Sequence, residues 1–257
     1  MRLNSQSLGA GRELVMVHGW GMNSSVWSDF AERMAEDYRV TLIDLPGHGL
    51  SPYHGQVRLE DWAAAALEVA PQHGVWLGWS LGSMVTLQAG LLAPERFDGI
   101  MALAGMPRFV QGEDWPHAMA VRTLNNFIEV LGDDLSRAME RFLALQMLGS
   151  DLAMETLKKL KLRLQQRPHP IPEALQAGLD LLKSGDLRGQ LGDLSCPTAW
   201  LYGERDTLAP AAAAQRLVDW LPEAKHHTIA RAAHTPFLSH PQETERWVRE
   251  TLEAWYA

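Results

Sequence analysis

The sequence predicts an α/β fold with a mostly parallel central sheet, helices on both faces of the sheet and an inserted helical cap. Apolar runs of strand length alternate with helical patterns, which is typical of a parallel sheet covered on both sides. This alternation stops at about Arg108, the residues from there to about Asp186 have helical spacing, and strand alternation resumes at Thr198. We therefore predict a core of residues 1–107 and 187–257 and a cap of residues 108–186.

Six apolar runs are predicted as strands of this sheet, at residues 14–17, 40–43, 75–78, 100–104, 198–203 and 225–229. Helices are predicted over an alanine-rich stretch at 59–70, near 210–220 and from about Gln242 to Trp255. Ser24 and Ser25 have side chains that favour a helix N-cap, so we expect a further helix to begin there.

Composition and charge argue against several classes of protein. The 257 residues carry a net charge of −8, which disfavours a nucleic acid as the main partner. No apolar run reaches the roughly 18–20 residues of a membrane span, and the polar N-terminus lacks the apolar centre of a secretory signal. Cys196 is the only cysteine and is expected to be a buried structural thiol. We expect a cytoplasmic monomer that binds neither nucleic acid nor membrane.

A Gly-x-Ser-x-Gly segment at residues 78–82 is the first candidate for chemistry. It follows an apolar strand and leads directly into a helical pattern. A serine at the apex of such a turn is held in a strained conformation, clear of the sheet and beside the positive end of a helix. The pentapeptide alone also fits an ordinary Gly/Ser turn. Because a strand precedes it and a helix follows, we predict that Ser80 is a nucleophile.

A nucleophilic serine needs a base and a group that orients the base. His234 lies just after the last predicted strand, so it is expected at the same sheet edge as Ser80, although a lone loop histidine is usually only solvated. Asp206 follows a strand and a glycine turn and is predicted to orient His234. Its alternatives are Glu204 in the same role, or a plain helix N-cap at Asp206. The order Ser80, Asp206, His234 is typical of one class of hydrolases.

Main-chain donors are expected to stabilise the oxyanion that forms when a nucleophile attacks a carbonyl. We predict the N–H of Leu81, directly after the nucleophile, and the N–H of Trp20, which lies between two glycines after the first apolar strand. The Trp20 indole is predicted to form a wall of the acyl pocket. The histidines are scattered without the spacing of a zinc site, so we expect neither a metal nor a cofactor.

Five motifs resemble the α/β-hydrolase superfamily: His-Gly-Trp-Gly at 18–21, Asp-Leu-Pro-Gly-His-Gly at 44–49, Gly-Trp-Ser-Leu-Gly at 78–82, Leu-Tyr-Gly-x-x-Asp at 201–206 and Ala-Ala-His-x-Pro-Phe at 232–237. Within the superfamily, residues 114–116 and 140–146 make the chain similar to the pimeloyl-[acyl-carrier protein] methyl ester esterases of biotin synthesis. The resemblance covers nearly the whole chain, and it implies an α/β-hydrolase fold.

The resemblance also implies an activity and a set of contacts. The activity is a serine carboxylesterase that hydrolyses the methyl ester of a pimeloyl chain held on acyl carrier protein. The residues implied in substrate binding are Trp20, Ser80, Leu81, Phe142, Leu143, Ala144, Leu145, Gln146 and His234. From spacing alone, Phe142, Leu145 and Met147 are candidates for an apolar slot, but such positions also fit a plain core.

Charge in the predicted cap supports an acidic protein partner. Residues 137–167 contain seven basic and three acidic side chains, a net charge of +4 within a chain of −8. Such a patch can steer an acidic carrier protein to the cap, although a solvated helix face is the plainer explanation. The resemblance implies docking through Arg137, Arg141 and Lys158. The family has arginine where this chain has Met154 and Lys158, a difference that preserves most of the charge and leaves the docking geometry open.

Other functions fit the same pattern. A serine at the turn argues against the dehalogenases and epoxide hydrolases of the superfamily, which have a carboxylate there. A broad short-chain carboxylesterase or a carbon–carbon bond hydrolase would have the same three residues. A non-catalytic ligand-binding receptor on a hydrolase scaffold is an alternative from a different functional class.

Overall fold

The computed structural model describes residues 2–133, 135–165, 167–217 and 219–256, without the side chains of residues 127, 130–133, 135–138 and 214. Within these ranges seven strands form one sheet in the order β1-β3-β2-β4-β5-β6-β7. The strands are β1 (Ser5–Leu8), β2 (Arg12–Val17), β3 (Tyr38–Ile43), β4 (Gly74–Trp79), β5 (Phe97–Leu103), β6 (Thr198–Gly203) and β7 (Lys225–Ile229). Strand β1 pairs antiparallel with β3, and every other neighbouring pair is parallel. The mostly parallel sheet predicted from the sequence is confirmed.

Helices connect the strands. They are α1 (Ser28–Met34), α2 (Leu59–Val69), α3 (Leu81–Leu92), α4 (Val121–Asp133), α5 (Leu135–Gln146), α6 (Ala153–Leu164), α7 (Pro172–Ser184), α8 (Ala214–Leu217), α9 (Pro236–Ser239) and α10 (Pro241–Tyr256). Four of them, α4 to α7, come between β5 and β6, in the stretch predicted as the cap. The division of the chain into core and cap remains a prediction.

Three local expectations differ from the structure. Strand β1 was not predicted, because its side chains are exposed or only half-buried and it lies at the sheet edge, where no apolar pattern is required. Asn23, not Ser24 or Ser25, caps the first helical turn, since its side chain accepts from the Ser25 N–H at 3.0 Å. Cys196 is half-buried, and burial raises the pKa of its thiol to about 11.

Main-chain segments pack closely where β4 turns into α3. A Cβ on Gly82 would lie 2.4 Å from the carbonyl oxygen of Val17 in β2, and one on Gly78 would lie 2.4 Å from the carbonyl oxygen of Gly82. Both clashes are with main chain, which cannot move aside as a side chain can. Only glycine at these two positions lets α3 begin directly against β2 and β4.

His18 joins the loop after β2 to the loop after β3. The ring is fully buried, its Nδ1–H donates to the carbonyl of Gly19 at 2.8 Å, and its Nε2 accepts from the Leu45 N–H at 3.0 Å. Since Nε2 accepts, the ring is neutral with its proton on Nδ1. Burial lowers the pKa of His18 and so favours this neutral form.

His48 forms a second connection between the same two loops. Its Nδ1–H donates to the carbonyl of Pro46 at 2.9 Å, and its Nε2 accepts from the Gly21 N–H at 3.3 Å. The ring is fully buried, and burial, with the neighbouring His18, lowers its pKa to about 3. Together the two histidines hold the peptide groups on both sides of Trp20.

Replacement of Gly82 by alanine should destabilise the fold. The added Cβ meets main-chain oxygen atoms of β2, so we expect Gly82→Ala to lower the free energy of unfolding in urea by about 3 kcal/mol. Gly189→Ala is the control, because a Cβ on Gly189 has no neighbour within 4 Å among the described residues. It should change the free energy of unfolding by less than about 1 kcal/mol. Equal effects of the two substitutions would contradict the packing argument.

The buried neutral His48 should make stability fall in mild acid. Its pKa is about 3 in the folded chain, whereas an unfolded histidine has a pKa of about 6.5, so between these values the unfolded chain binds more protons. The stability that the neutral His48 ring contributes is therefore fully present above about pH 6.5 and decreases as the pH falls. Between pH 7 and pH 5 the free energy of unfolding of the wild type should fall by about 2 kcal/mol more than that of His48→Gln, because glutamine at position 48 does not titrate. Urea unfolding at both pH values measures this, and identical losses would show that His48 is not responsible.

Candidate active site

Ser80 is the residue between β4 and α3. Its backbone is in the positive-φ region (φ 54°, ψ −122°), where a non-glycine residue is strained. The Ser80 N–H donates to the carbonyl of Leu103 in β5 at 3.0 Å, and the Ser83 hydroxyl donates to the carbonyl of Ser80 at 2.6 Å. These bonds hold the strained residue in place, with its side chain at the carboxyl end of the sheet.

A chain of hydrogen bonds joins the three residues predicted as a triad. His234 Nε2 lies 2.9 Å from Ser80 Oγ, and His234 Nδ1 lies 2.8 Å from Asp206 Oδ2. His234 is in the loop after β7 and Asp206 in the loop after β6, so neighbouring parallel strands bring them to one sheet edge. All three side chains are buried. The arrangement has the geometry of a serine nucleophile, a base and an orienting carboxylate.

Main-chain donors hold the Asp206 carboxylate. Its Oδ1 accepts from the N–H groups of Leu208 at 2.8 Å and Ala209 at 3.0 Å, which leaves Oδ2 for His234. Asp206 therefore makes both the turn-capping bonds and the contact with the histidine. Its rival Glu204 instead accepts from the main-chain N–H of Arg231 at 2.8 Å.

The segments that carry the two predicted oxyanion donors both lie next to Ser80. Leu81 is the first residue of α3, where an N–H has no partner within the helix. The loop that carries Trp20 lies against the nucleophile, since a Cβ on Gly19 would be 3.1 Å from the Cβ of Ser80. His18 and His48 hold the flanking carbonyl of Gly19 and N–H of Gly21, and this fixes the orientation of the Trp20 peptide.

The Trp20 indole contacts two of the helices in the predicted cap. Its Nε1–H donates to the carbonyl of Leu175 in α7 at 2.8 Å, and its ring meets Phe142 of α5 edge-on at 4.7 Å between centroids. Phe142 in turn lines the cavity at Ser80, whereas the indole itself is not among the lining residues. The predicted role of the indole as a pocket wall is therefore indirect, through Phe142.

The cavity at Ser80 is apolar and small. Its volume of about 20 Å³ has room for about one water molecule. Six of its lining side chains belong to residues 108–186, the predicted cap. The lining residues are Ser80, Phe109, Met119, Leu124, Phe142, Leu179, Leu182 and Leu208. Apart from Ser80 and Phe142, none of them was predicted from the sequence to line a pocket, because an apolar residue facing a cavity has the same helical spacing as one in the core.

The other apolar residues implied by the resemblance lie in different environments. Leu143 is buried beside a separate groove of about 580 Å³, which α5, α6 and residues 168–170 enclose together with Gly21 and Asn23. Leu145 is half-buried against the core, and Ala144 is exposed. In this structure only Phe142 of residues 142–146 lines the cavity at Ser80.

Gln146 and Met147 contact the loop that carries the base. The carbonyl of Gln146 accepts from the His234 N–H at 3.1 Å, and the Met147 sulfur accepts from the Thr235 hydroxyl at 3.3 Å. The Gln146 amide is fully buried, and neither its oxygen nor its nitrogen has a partner among the described residues. Met147, which the spacing made a candidate for an apolar slot, packs against the loop that carries His234.

The residues predicted to bind the carrier protein lie on α5 and α6. Arg141 and Lys158 are exposed, and so is Met154, which is 81 % accessible. The side chain of Arg137 is outside the part of the chain that the structure describes. Among the described residues no group of three or more metal-ligating side chains is assembled, and no helix there is long and apolar enough to cross a bilayer.

Comparison with known proteins gives the same fold and a closer group of relatives. The family model for the alpha/beta hydrolase fold matches residues 13–241. An esterase from Exiguobacterium antarcticum superposes with a TM-score of 0.88 at 18% identity, over 98% of this chain and 95% of that one. At this identity the match concerns the fold alone.

Two curated relatives are much closer in sequence. Both are named pimeloyl-[acyl-carrier protein] methyl ester esterase. The protein from Photobacterium profundum is 41% identical over 96% of this chain and 97% of its own length. The protein from Methylococcus capsulatus is 42% identical over 98% of this chain and 99% of its own length. The chain therefore belongs to the α/β-hydrolase family and, within it, to the family of the pimeloyl-[acyl-carrier protein] methyl ester esterases.

Proposed function

We propose that this chain is a serine carboxylesterase that hydrolyses the methyl ester of pimeloyl-[acyl-carrier protein] and releases methanol. The observation that carries the proposal is the Ser80–His234–Asp206 chain of hydrogen bonds, which lies beside an apolar cavity. The relatives that share about 40% of its sequence are named for this substrate. Geometry supports the type of chemistry, and the relatives' names support the substrate.

The first half of the reaction forms an acyl-enzyme. Ser80 Oγ attacks the ester carbonyl carbon while His234 Nε2 accepts its proton, and Asp206 stabilises the imidazolium and keeps Nε2 facing the serine. The tetrahedral intermediate collapses as the bond to the methoxy oxygen breaks. His234 returns its proton to that oxygen, and methanol leaves.

The second half regenerates the enzyme. Water attacks the acyl carbon and gives a proton to His234, the bond to Ser80 Oγ breaks, and the serine regains its proton. In both halves the negative oxygen lies against the N–H groups of Trp20 and Leu81. Each such donor lowers the barrier by about 3 kcal/mol in comparable enzymes.

The lining of the cavity supports a neutral, apolar acyl chain as the substrate. Burial of each methylene contributes about 0.8 kcal/mol, and all lining side chains other than Ser80 are apolar. A free carboxylate would find no ionic partner among these residues, and its desolvation would be costly. Because the cavity holds about one water molecule as it stands, we propose that α4, α5 and α7 move apart to admit the acyl chain.

Two exposed basic side chains support docking of an acidic carrier protein. Arg141 and Lys158 lie on α5 and α6 within residues 137–167, whose net charge is +4. Such a patch attracts a partner of opposite charge and raises the rate of encounter. We include Arg137 in this proposal from the resemblance alone. A cytoplasmic location and a monomeric state complete the proposal.

Loss of the Ser80 hydroxyl should abolish hydrolysis. We expect Ser80→Ala to lower kcat by at least about 10³-fold on pimeloyl-carrier-protein methyl ester and on p-nitrophenyl acetate. Methanol and p-nitrophenol release are the measurements. Ser184→Ala, which removes an exposed hydroxyl bonded to its own helix, is the control and should retain full activity. Turnover of small esters alone would point to a broad carboxylesterase. Tight ligand binding without turnover would point to a receptor.

Charge reversal on α5 and α6 should affect only the carrier-bound substrate. We expect the double variant Arg141→Glu/Lys158→Glu to lower kcat/KM for the carrier substrate about tenfold or more and to leave p-nitrophenyl acetate unchanged. The control is Arg122→Glu/Lys183→Glu, which makes the same change in net charge at exposed sites outside residues 137–167. Equal losses in both double variants, or on both substrates, would remove the docking proposal.

A further inference from the structure

The turn that joins α5 to α6, which we call the cap turn (residues 147–152), lies against both the loop that carries the proposed base, His234, and the loop that carries the proposed orienting carboxylate, Asp206. At its start, the carbonyl of Gln146 accepts from the His234 N–H, and the Met147 sulfur accepts from the Thr235 hydroxyl. The backbone of the proposed base is therefore bonded directly to the end of α5.

Arg205, the residue before Asp206, forms hydrogen bonds that join the loop of Asp206 to the cap turn. Its Nη1 donates to the carbonyl of Gly149 at 2.7 Å and to Asp151 Oδ1 at 2.5 Å. Gly149 has a positive φ of 87°, and a Cβ there would lie 3.3 Å from the Cβ of Arg205. The turn is therefore packed closely on the stem of the arginine as well as bonded to its head group.

Asp151 connects the loop that carries Asp206 to the loop that carries His234. Its Oδ1 accepts from Arg205, and its Oδ2 lies 3.6 Å from Nη1 of Arg231, three residues before His234. The two loops are also bonded to each other, because the Arg231 N–H donates to Glu204 and the Arg205 N–H donates to the carbonyl of Ala232 at 2.9 Å. One carboxylate of the cap turn thus lies between cations from the two loops that carry Asp206 and His234.

We propose that Asp151 and Arg205 are positioning residues, which hold the loops of Asp206 and His234 in register through the cap turn. The proposal rests on the proposed function, because it assumes that these residues form the working triad. Surface ion pairs contribute little to stability, and both side chains are about half-exposed. Their effect should therefore be on the alignment of the triad, where small displacements cost much rate, and not on the stability of the fold.

The test compares single and double variants with p-nitrophenyl acetate, which needs no carrier protein. We expect Asp151→Asn and Arg205→Ala each to lower kcat about fivefold to tenfold with KM within about twofold of wild type. The double variant should lose no more than either single one, because the two side chains act as a unit. Arg205→Lys should regain most of the rate, since a lysine Nζ can donate to both oxygen atoms that Nη1 contacts.

The matched control is Arg58→Ala, which removes an exposed ion pair with Glu60 away from the triad loops and should keep full activity. Urea midpoints of all variants should stay close to wild type. The proposal would be overturned if Asp151→Asn and Arg205→Ala hydrolysed the ester as fast as Arg58→Ala. It would also be overturned if the variants lost rate in proportion to a fall in their urea midpoints. A wild type without Ser80-dependent hydrolysis would instead overturn the proposed function, so the two failures are distinguishable.

Discussion

The close approach of β4, β2 and α3 is the constraint on which the rest of the site depends. Gly78 and Gly82 let the helix begin directly at the end of the strand, and the residue between them, Ser80, then adopts a positive φ. That conformation places the hydroxyl at the sheet edge and the first N–H of α3 beside it. A larger residue at either glycine would separate strand from helix, and the serine would lose both its exposure to a substrate and its helix terminus.

Parallel pairing then brings the remaining chemistry to the same place. Successive parallel strands end at one edge, so the loops after β6 and β7 deliver Asp206 and His234 although Ser80 is more than a hundred residues away in the chain. The loop after β2 reaches that edge too, and two buried neutral histidines from the loops after β2 and β3 hold it. Rigid main chain and uncharged rings give this half of the site an arrangement that needs no ion pair to maintain it.

The helices between β5 and β6 close the site and also support it. Phe142 lines the cavity, while the end of α5 and the cap turn are bonded to the loops that carry His234 and Asp206. The surface proposed for the carrier protein includes Arg141 on α5 and Lys158 on α6, the two helices that the cap turn joins. The proposed roles in substrate delivery, enclosure of the acyl chain and alignment of the triad therefore all fall on one segment of the chain, and under these proposals a displacement of α5 would affect all three.

The sequence by itself determined the fold class, six of the seven described strands and the family, and it brought forward Ser80, Asp206 and His234 as the predicted triad. It could do so because strand periodicity, the glycine turn and the order of the loops are local patterns. Only the tertiary structure decided what faces the cavity. Leu143, Leu145 and Met147 have the same helical spacing as Phe142, yet only Phe142 among them lines the cavity, because the packing of one helix on its neighbours selects which apolar side is covered. The contact of Asp151 with Arg205, and the edge strand β1, likewise arise from long-range neighbours that no local pattern encodes.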